Sequence, residues 1–334
     1  MEVGFVGLGR MGGNMVRRLA RSGHRCHMFS LDAAERAALA EETGAVPCDS
    51  LEALAAGLTA PRIIWLMVPA GAPTQAVIDT LVPHLAPGDT LIDGGNSQFK
   101  DSIARFAALA DEGIAFVDCG TSGGLFGLDR GYSLMIGGAD EAVARAEPIF
   151  AALAPGIETA ARTAARVGGP EAPGEQGWLH CGPAGSGHYV KMVHNGIEYG
   201  IMQAYAEGFA VMASAARPEM AEERRYVLDL AGIAEVWRRG SVISSWLLDL
   251  GADALADDPS LEHYSARVAD SGEGRWTVHT AIEQGVSVDV LASALFARFR
   301  SHDDADVADR LLSALRYKFG GHAGVPPIHD PAAA

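Results

Sequence analysis

The sequence predicts a doubly wound, mostly parallel α/β sheet followed by an all-helical C-terminal region, and three observations carry that expectation. Short apolar runs alternate with amphipathic stretches through residues 1–155. A glycine-rich turn, Gly7-Leu8-Gly9-Arg10-Met11-Gly12, directly follows the first apolar run. Beyond residue 185, strand patterns give way to long stretches of helical period. In order, Glu2–Val6 reads as a strand, 12–22 as a helix, Arg25–Phe29 as a strand and 33–42 as a helix. Further buried strands are predicted over 63–68, Thr90–Asp93 and 114–118, each preceded by a helical pattern, as in a parallel sheet covered on both faces. The aperiodic Gly/Pro/Glu segment 168–177 marks the expected boundary, giving domains over 1–170 and 171–334. Helices are expected over 188–215, 218–231, 276–284, 288–299 and 305–319, with 326–334 as a loose tail.

Composition narrows the function classes. The chain has 334 residues, 49% of them hydrophobic and 20% charged, which is enough apolar material for a buried core. With 26 basic against 42 acidic side chains the formal charge is −16, a field that repels nucleic acid and anionic membrane. The cysteines Cys26, Cys48, Cys119 and Cys181 are scattered, without a C-x-x-C pair, so reduced thiols and no metal site are expected. The sequence has neither a signal-peptide pattern nor an apolar run of membrane-spanning length, and the expected location is the cytoplasm.

The Gly7–Gly12 motif stands between a strand and a helix, the context in which G-x-G-x-x-G signifies a dinucleotide site and a Rossmann-type sheet. Its glycines let a pyrophosphate approach the backbone, and the helix start offers free N–H groups. Ser30-Leu31-Asp32 ends the second strand, with no arginine before Arg36. An acid there holds a ribose 2′-hydroxyl, so NAD is expected, with NADP as the alternative. Asp32 is equally placed to cap the helix that follows.

Lys191 is one of only three lysines, with Lys100 and Lys318, in a chain that otherwise writes arginine for cation. An amine can shed its proton where a guanidinium cannot, which suits a general base or acid. At helical spacing His194, Asn195, Glu198 and Tyr199 share a face with Lys191, whereas Met192, Val193, Ile197, Ile201 and Met202 occupy the others. The polar loops 67–71 (with Val68, Pro69 and Ala70), 93–97 and 118–124 end predicted strands, where ligands bind in open α/β sheets. Cys119 has no evident base beside it and reads as a small buried residue.

Together these motifs resemble 6-phosphogluconate dehydrogenase (decarboxylating) in its short bacterial, NAD-type form. The resemblance runs nearly end to end: GLGRMGGN from Gly7, MVPAG from Met67, IDGGNS from Ile92, SGG from Ser122, GHYVKMVHNGIEYG from Gly187, DSGEGRWT from Asp270 and FGGH from Phe319. It implies oxidative decarboxylation of 6-phospho-D-gluconate to D-ribulose 5-phosphate in the pentose phosphate pathway and gluconate utilisation, with Lys191 as general base and Glu198 as general acid. It assigns the cofactor to Gly7, Leu8, Gly9, Arg10, Met11, Gly12, Ser30, Leu31, Asp32, Val68, Pro69, Ala70 and Asn96. It assigns the substrate to Asn96, Ser122, Gly123, Gly124, His194, Asn195, Tyr199 and Arg298. Arg316 and His322 would reach a neighbouring subunit's site, which implies at least a homodimer. Departures stand beside the likeness: Ser271 and Glu273 replace a phosphate-binding lysine and a threonine of the long-form enzymes. The chain also resembles β-hydroxyacid dehydrogenases of the 3-hydroxyisobutyrate or tartronate semialdehyde type, which release no CO2, in the glycine turn and in Lys191-x-x-x-Asn195. A non-catalytic dinucleotide sensor is the remaining reading, and the presence of both Lys191 and Glu198 speaks against it.

Overall fold

The computed structural model describes residues 1–302 together with 307, 309–312 and 315. Most of the helix expected over 305–319, the 326–334 tail, Arg316 and His322 lie outside the described residues. In chain order the elements of the first part are β1 (Glu2–Val6), α1 (Arg10–Arg21), β2 (Arg25–Phe29), α2 (Ala33–Thr43), β3 (Val46–Pro47), α3 (Leu51–Gly57), β4 (Ile63–Leu66) and α4 (Ala72–Leu81). There follow β5 (Thr90–Asp93), α5 (Phe99–Ala110), β6 (Ala115–Ser122), α6 (Gly127–Arg130), β7 (Ser133–Gly138), α7 (Asp140–Leu153), α8 (Pro173–Gln176) and β8 (Trp178–Gly182). The eight strands form one sheet in the order β3-β2-β1-β4-β5-β6-β7-β8. All neighbours pair in parallel except β6 with β7. The chain winds outward from β1 to β3, then returns to the other side of β1, so the topological switch lies between β1 and β4.

Both faces of the sheet are covered, as the apolar strand runs require. Along β4, Ile63 and Trp65 belong to one core and Ile64 and Leu66 to the other. Trp65 stacks on Phe5, with ring centroids 6.2 Å apart, and meets Phe150 edge-on at 6.1 Å. Further on come α9 (Ser186–Ser214), α10 (Leu230–Arg238), α11 (Trp246–Asp257), α12 (Glu273–Gln284) and α13 (Asp289–Arg300). The chain divides into compact units 1–197 and 198–334, the division falling inside the 29-residue α9. Among the described residues of the second unit there is no strand. Its cores are small, one around Tyr199, Ala294 and Leu295 and one around Ala234, Ala252 and Leu255.

The structure departs from the sequence expectations in three places. β6 runs to Ser122 rather than stopping at 118, and it pairs with β7, an antiparallel strand the pattern did not announce. The expected boundary at 170 lies ahead of β8, which the sheet includes as an edge strand. No regular helix covers 218–231: a short 3-10 turn at Glu222–Arg224 is followed by irregular chain up to α10. Pro218 supplies no N–H, the Arg225 guanidinium takes up the Pro218 and Met220 carbonyls, and the Asp229 side chain starts α10 by accepting from the Gly232 N–H. No helix among the described residues is long and apolar enough to cross a membrane.

Two histidines tie the stability of the first unit to pH. Burial pushes His24 and His27 below the ordinary imidazole value; the N-terminal amine adds to this at His24, while Glu2 partly opposes it at His27. Both histidines bind protons more readily in the unfolded chain, so stability present above about pH 6.5 falls as the solution is acidified. Thermal melts from pH 8 to 5.5 should show Tm declining by about 2–4 °C per kcal/mol lost, with a shallower decline in His27→Gln. A Tm constant over that interval would contradict the assignment.

Candidate active site

Strands β1, β2, β4 and β5 end level with one another, since Val6 pairs with Phe29 and Leu66, and Leu66 with Asp93. The loops that follow them meet at the carboxyl edge of the sheet. There, a cavity of about 930 Å³ is lined by Gly7, Leu8, Gly9, Arg10, Met11 and Gly12, by Ser30, Leu31 and Asp32, and by Val68 and Pro69. Ala70 and Asn96 stand exposed on the flanking loops and do not line it. Glu35, Gly124 and Leu125 add walls that sequence reasoning had not assigned to the cofactor. Gly7 adopts φ +92°, and a Cβ there would lie 2.3 Å from the Met67 carbonyl, so only glycine makes this turn.

The cavity fits a dinucleotide. Helix α1 begins after Gly9 with no side-chain cap and no acid in its first turn, so its positive end is available to an anion such as a phosphate. At the end of β2, Asp32 Oδ1 accepts both the Ala34 and Glu35 N–H groups, so the helix-capping reading is correct. Glu35 Oε2 accepts from the Ser30 hydroxyl at 2.9 Å and sets a second carboxylate beside the first. Arg36, the first cation after β2, is already engaged: it donates to the Ser30 carbonyl, pairs with Asp49 at 3.4 Å and lies over the Phe29 ring, while Arg10 lines the cavity at the glycine turn.

Lys191 stands in the second turn of α9, a helix whose start is fixed by β6. The buried Asp118 carboxylate accepts the Gly185 N–H at 2.6 Å and the His188 N–H at 2.8 Å, supplying the negative charge that a helix N-terminus favours. Lys191 is 6% exposed, and its amine donates to Asn195 Oδ1 at 2.7 Å. His194 Nδ1 lies 3.4 Å from the amine and 3.0 Å from Asn195 Oδ1, while Nε2 is 3.3 Å from the Ser122 hydroxyl. Four expected substrate and catalytic residues, Lys191, His194, Asn195 and Ser122, are thus brought together. Gly123 and Gly124 continue from Ser122 as the start of the loop after β6. The thiol of Cys119, fully buried in β6, is pushed well above its ordinary value by burial, so it is no nucleophile.

The other expected residues belong to the second unit. Tyr199 is buried, and its hydroxyl donates to Asp270 at 3.3 Å. The Arg298 guanidinium lies 3.5 Å over the Tyr199 ring and donates to the Ala269 carbonyl. Ser271 donates to the buried carboxylate of Glu273, so the two departures from the long-form pattern bond each other. Burial raises the Asp270 carboxyl, but the hydrogen bonds from Arg275 and the Gly272 N–H outweigh it and hold the group below the usual range. Glu198 is half-buried on α9, seven residues after Lys191.

A glycine-turn cavity for a dinucleotide, adjoining strand ends and a buried helical lysine, together define a nicotinamide-dependent dehydrogenase with a helical C-terminal region. Comparison with known proteins is more specific. Residues 2–164 match the model of the NAD binding domain of 6-phosphogluconate dehydrogenase, and residues 187–319 that of its C-terminal domain. The NAD(+)-dependent, decarboxylating 6-phosphogluconate dehydrogenase of Haloferax volcanii is 43% identical over 96% of this chain and 98% of its own. Plasmodium falciparum 6-phosphogluconate dehydrogenase, whose structures include complexes with NADP+ and with 6-phosphogluconate, superposes with a TM-score of 0.74 at 26% identity, covering 99% of this chain and 67% of that one. A 3-hydroxyisobutyrate dehydrogenase from Salmonella typhimurium shares the fold at 19% identity and a TM-score of 0.68. The chain belongs to the 6-phosphogluconate dehydrogenase family.

The approach of α9 to β6 allows no side chain at Gly120, where a Cβ would stand 2.3 Å from Lys191 Cβ and 3.0 Å from the Gly187 carbonyl. Gly120→Ala should therefore push Lys191 out of register and lower kcat by about tenfold or more. Affinity for the dinucleotide, titrated by protein fluorescence, should stay close to that of the parent. Equal losses in both would mean that the substitution had damaged the sheet as a whole.

Proposed function

We propose that the protein oxidises and decarboxylates 6-phospho-D-gluconate to D-ribulose 5-phosphate and CO2, with NAD as the preferred acceptor. The observation that carries this reading is the buried Lys191 amine, hydrogen-bonded to Asn195 and close to His194, beside the end of a dinucleotide-binding sheet. The cofactor is assigned to Gly7–Gly12, Ser30–Asp32, Val68–Ala70 and Asn96, and when bound it supplies a hydride acceptor. Residues 1–182, which hold the whole sheet, form its domain in this reading, and the helices that follow supply Lys191 and the remaining substrate contacts and bind a second copy of the chain.

Lys191 takes the proton of the C3 hydroxyl as hydride leaves that carbon. The ammonium so formed donates to the new C3 keto oxygen, and this stabilises the negative charge that develops there when the C1 carboxylate departs as CO2. Glu198 then delivers a proton to the former C2 of the enediol, which becomes C1 of ribulose 5-phosphate, and the C3 hydroxyl returns its proton to Lys191 as the ketone forms. Asn195 orients Lys191 through their 2.7 Å bond, and His194 with Ser122 presents donors and acceptors to substrate hydroxyls alongside Asn96, Gly123 and Gly124. Tyr199 and Arg298 hold the phosphate, the guanidinium being suited to bidentate contact. Arg316 and His322 complete the assignment from a second copy, and the exposed apolar side chains of Val236, Ile282, Val290 and Phe296 in the second unit are consistent with a homodimer.

Preference for NAD follows from charge. Asp32 and Glu35 would face a 2′-phosphate with two carboxylates; Arg36 is committed to Asp49 and the Ser30 carbonyl, and the cavity's own cation, Arg10, stands at the glycine turn that takes the pyrophosphate. The ratio of kcat/KM for NAD to that for NADP should exceed unity and fall in Glu35→Gln. An enzyme with equal efficiency on both cofactors would refute the charge argument.

Lys191→Arg should reduce turnover by about 10³-fold while NAD affinity changes little, because a guanidinium stays protonated and cannot take the hydroxyl proton. The assay follows NADH by absorbance and CO2 by a coupled carboxylase. NADH formed without CO2 by the unaltered protein would point instead to simple hydroxyacid oxidation.

A further inference from the structure

Helix α5 contains no residue of the proposed reaction, yet it holds a buried cation between two of the loops that serve it. Arg105 and Asp93 form an ion pair at 3.1 Å with side chains 5% and 1% exposed. Asp93 closes the loop after β5 upon itself: Oδ1 accepts the Gly95 N–H at 3.1 Å and Oδ2 the Ser97 hydroxyl at 2.7 Å. The other edge of the guanidinium turns to the loop after β4, donating to the Gly71 carbonyl and to Gln75 Oε1, both at 3.2 Å. The two loops are in near contact, since a Cβ on Gly95 would lie 3.0 Å from the Val68 carbonyl. One turn earlier on α5, the buried Ser102 hydroxyl lies 2.8 Å from His188 Nδ1, one turn before Lys191 on α9. Phe99 meets Tyr189 edge-on at 5.3 Å in the same seam.

We propose that Arg105 is a positioning residue: it sets the loop of Val68–Ala70 against the loop of Asn96, and so fixes where the nicotinamide end of the cofactor lies relative to the substrate. The choice of arginine follows from the geometry. Bonding Asp93 on one edge and Gly71 and Gln75 on another takes a planar fork with donors on several sides, and a lysine ammonium cannot span them. Burial makes the arrangement rigid, because a buried charge that loses one partner has no water to replace it. Ser102 ties the same helix to the start of α9, so α5 serves as the common reference for both loops and for the lysine helix.

The inference rests on the activity proposed above, and its test is chosen so that the two can fail separately. In the full-length chain, Arg105→Met and Arg105→Lys are compared with the parent for NAD dissociation constant, for kcat, and for the deuterium isotope effect with 6-phosphogluconate labelled at C3. The Met variant should weaken NAD binding by about tenfold and raise the isotope effect, since hydride transfer becomes slow once the reacting carbons are poorly aligned. The Lys variant, keeping the Asp93 pair, should fall between. If the Met variant does not fold, Gln75→Ala, at an exposed position, removes the Nε partner, together with Gln75's own bond to Asp79, and should weaken NAD binding by about threefold. A lowered Tm with NAD affinity and isotope effect both unchanged would reduce Arg105 to a structural role and overturn the proposal. No turnover of 6-phosphogluconate by the parent would overturn the activity instead, and the NAD titrations would still decide the positioning.

Discussion

The arrangement of this molecule depends on one buried carboxylate. Asp118 lies in β6 and receives two N–H groups from the start of α9, so the sheet itself terminates the helix that carries Lys191. Each bond is charge-assisted and contributes about 1.5–3 kcal/mol, more than a typical neutral hydrogen bond. Their combined effect is orientational: the helix has one permitted start, and every side chain along its first turns inherits a fixed direction. Absence of a side chain at Gly120 lets the helix lie against the strand. Attraction at Asp118 and free space at Gly120 are separate requirements, and both fall within three residues of one strand.

Polar burial is concentrated around this seam, with a separate pair, the buried Asp89 and the partly buried Arg62, elsewhere in the first unit. Asp93, Arg105, Ser97, Ser102, His188 and Lys191 are all buried, and all have hydrogen-bond partners. Such groups stabilise a fold less than apolar residues of equal volume would, because their desolvation is costly. Their retention is explained by what they position. The two apolar cores, by contrast, hold aromatic and aliphatic side chains in ordinary layers on each face of the sheet.

Much of this was legible in the sequence, for reasons that differ by element. Strands β1, β2, β4 and β5 are covered on both faces, so they appear as short apolar runs between helical patterns, and the glycine turn fixes the first of them. Helix α9 was equally plain from its polar stripe. The strands β7 and β8 were not, because β8 is an edge strand with a mostly half-buried pattern and β7 ends in two glycines, so neither shows a clear period. The roles of Asp118 and Arg105 were hidden for another reason: their partners lie about 70 and 12 to 34 residues away, and no local spacing encodes them. Arg36 was misleading in the opposite sense, since only its contacts with Ser30 and Asp49 reveal that a nearby cation is already committed.

Asp32 performs a structural duty as well as facing the cavity, and this constrains how the charge at that end of the cavity can change. Oδ1 is occupied by the N–H groups of Ala34 and Glu35 in the first turn of α2, so exchanging the residue for a cationic one would discard a helix cap worth about 1 kcal/mol at the same time as it altered the charge. Asparagine or serine would keep the cap and lose only the charge. A change of charge at this end of the cavity is therefore stepwise: a neutral capping residue must come first, and a cation must be recruited from a neighbouring position rather than at Asp32 itself.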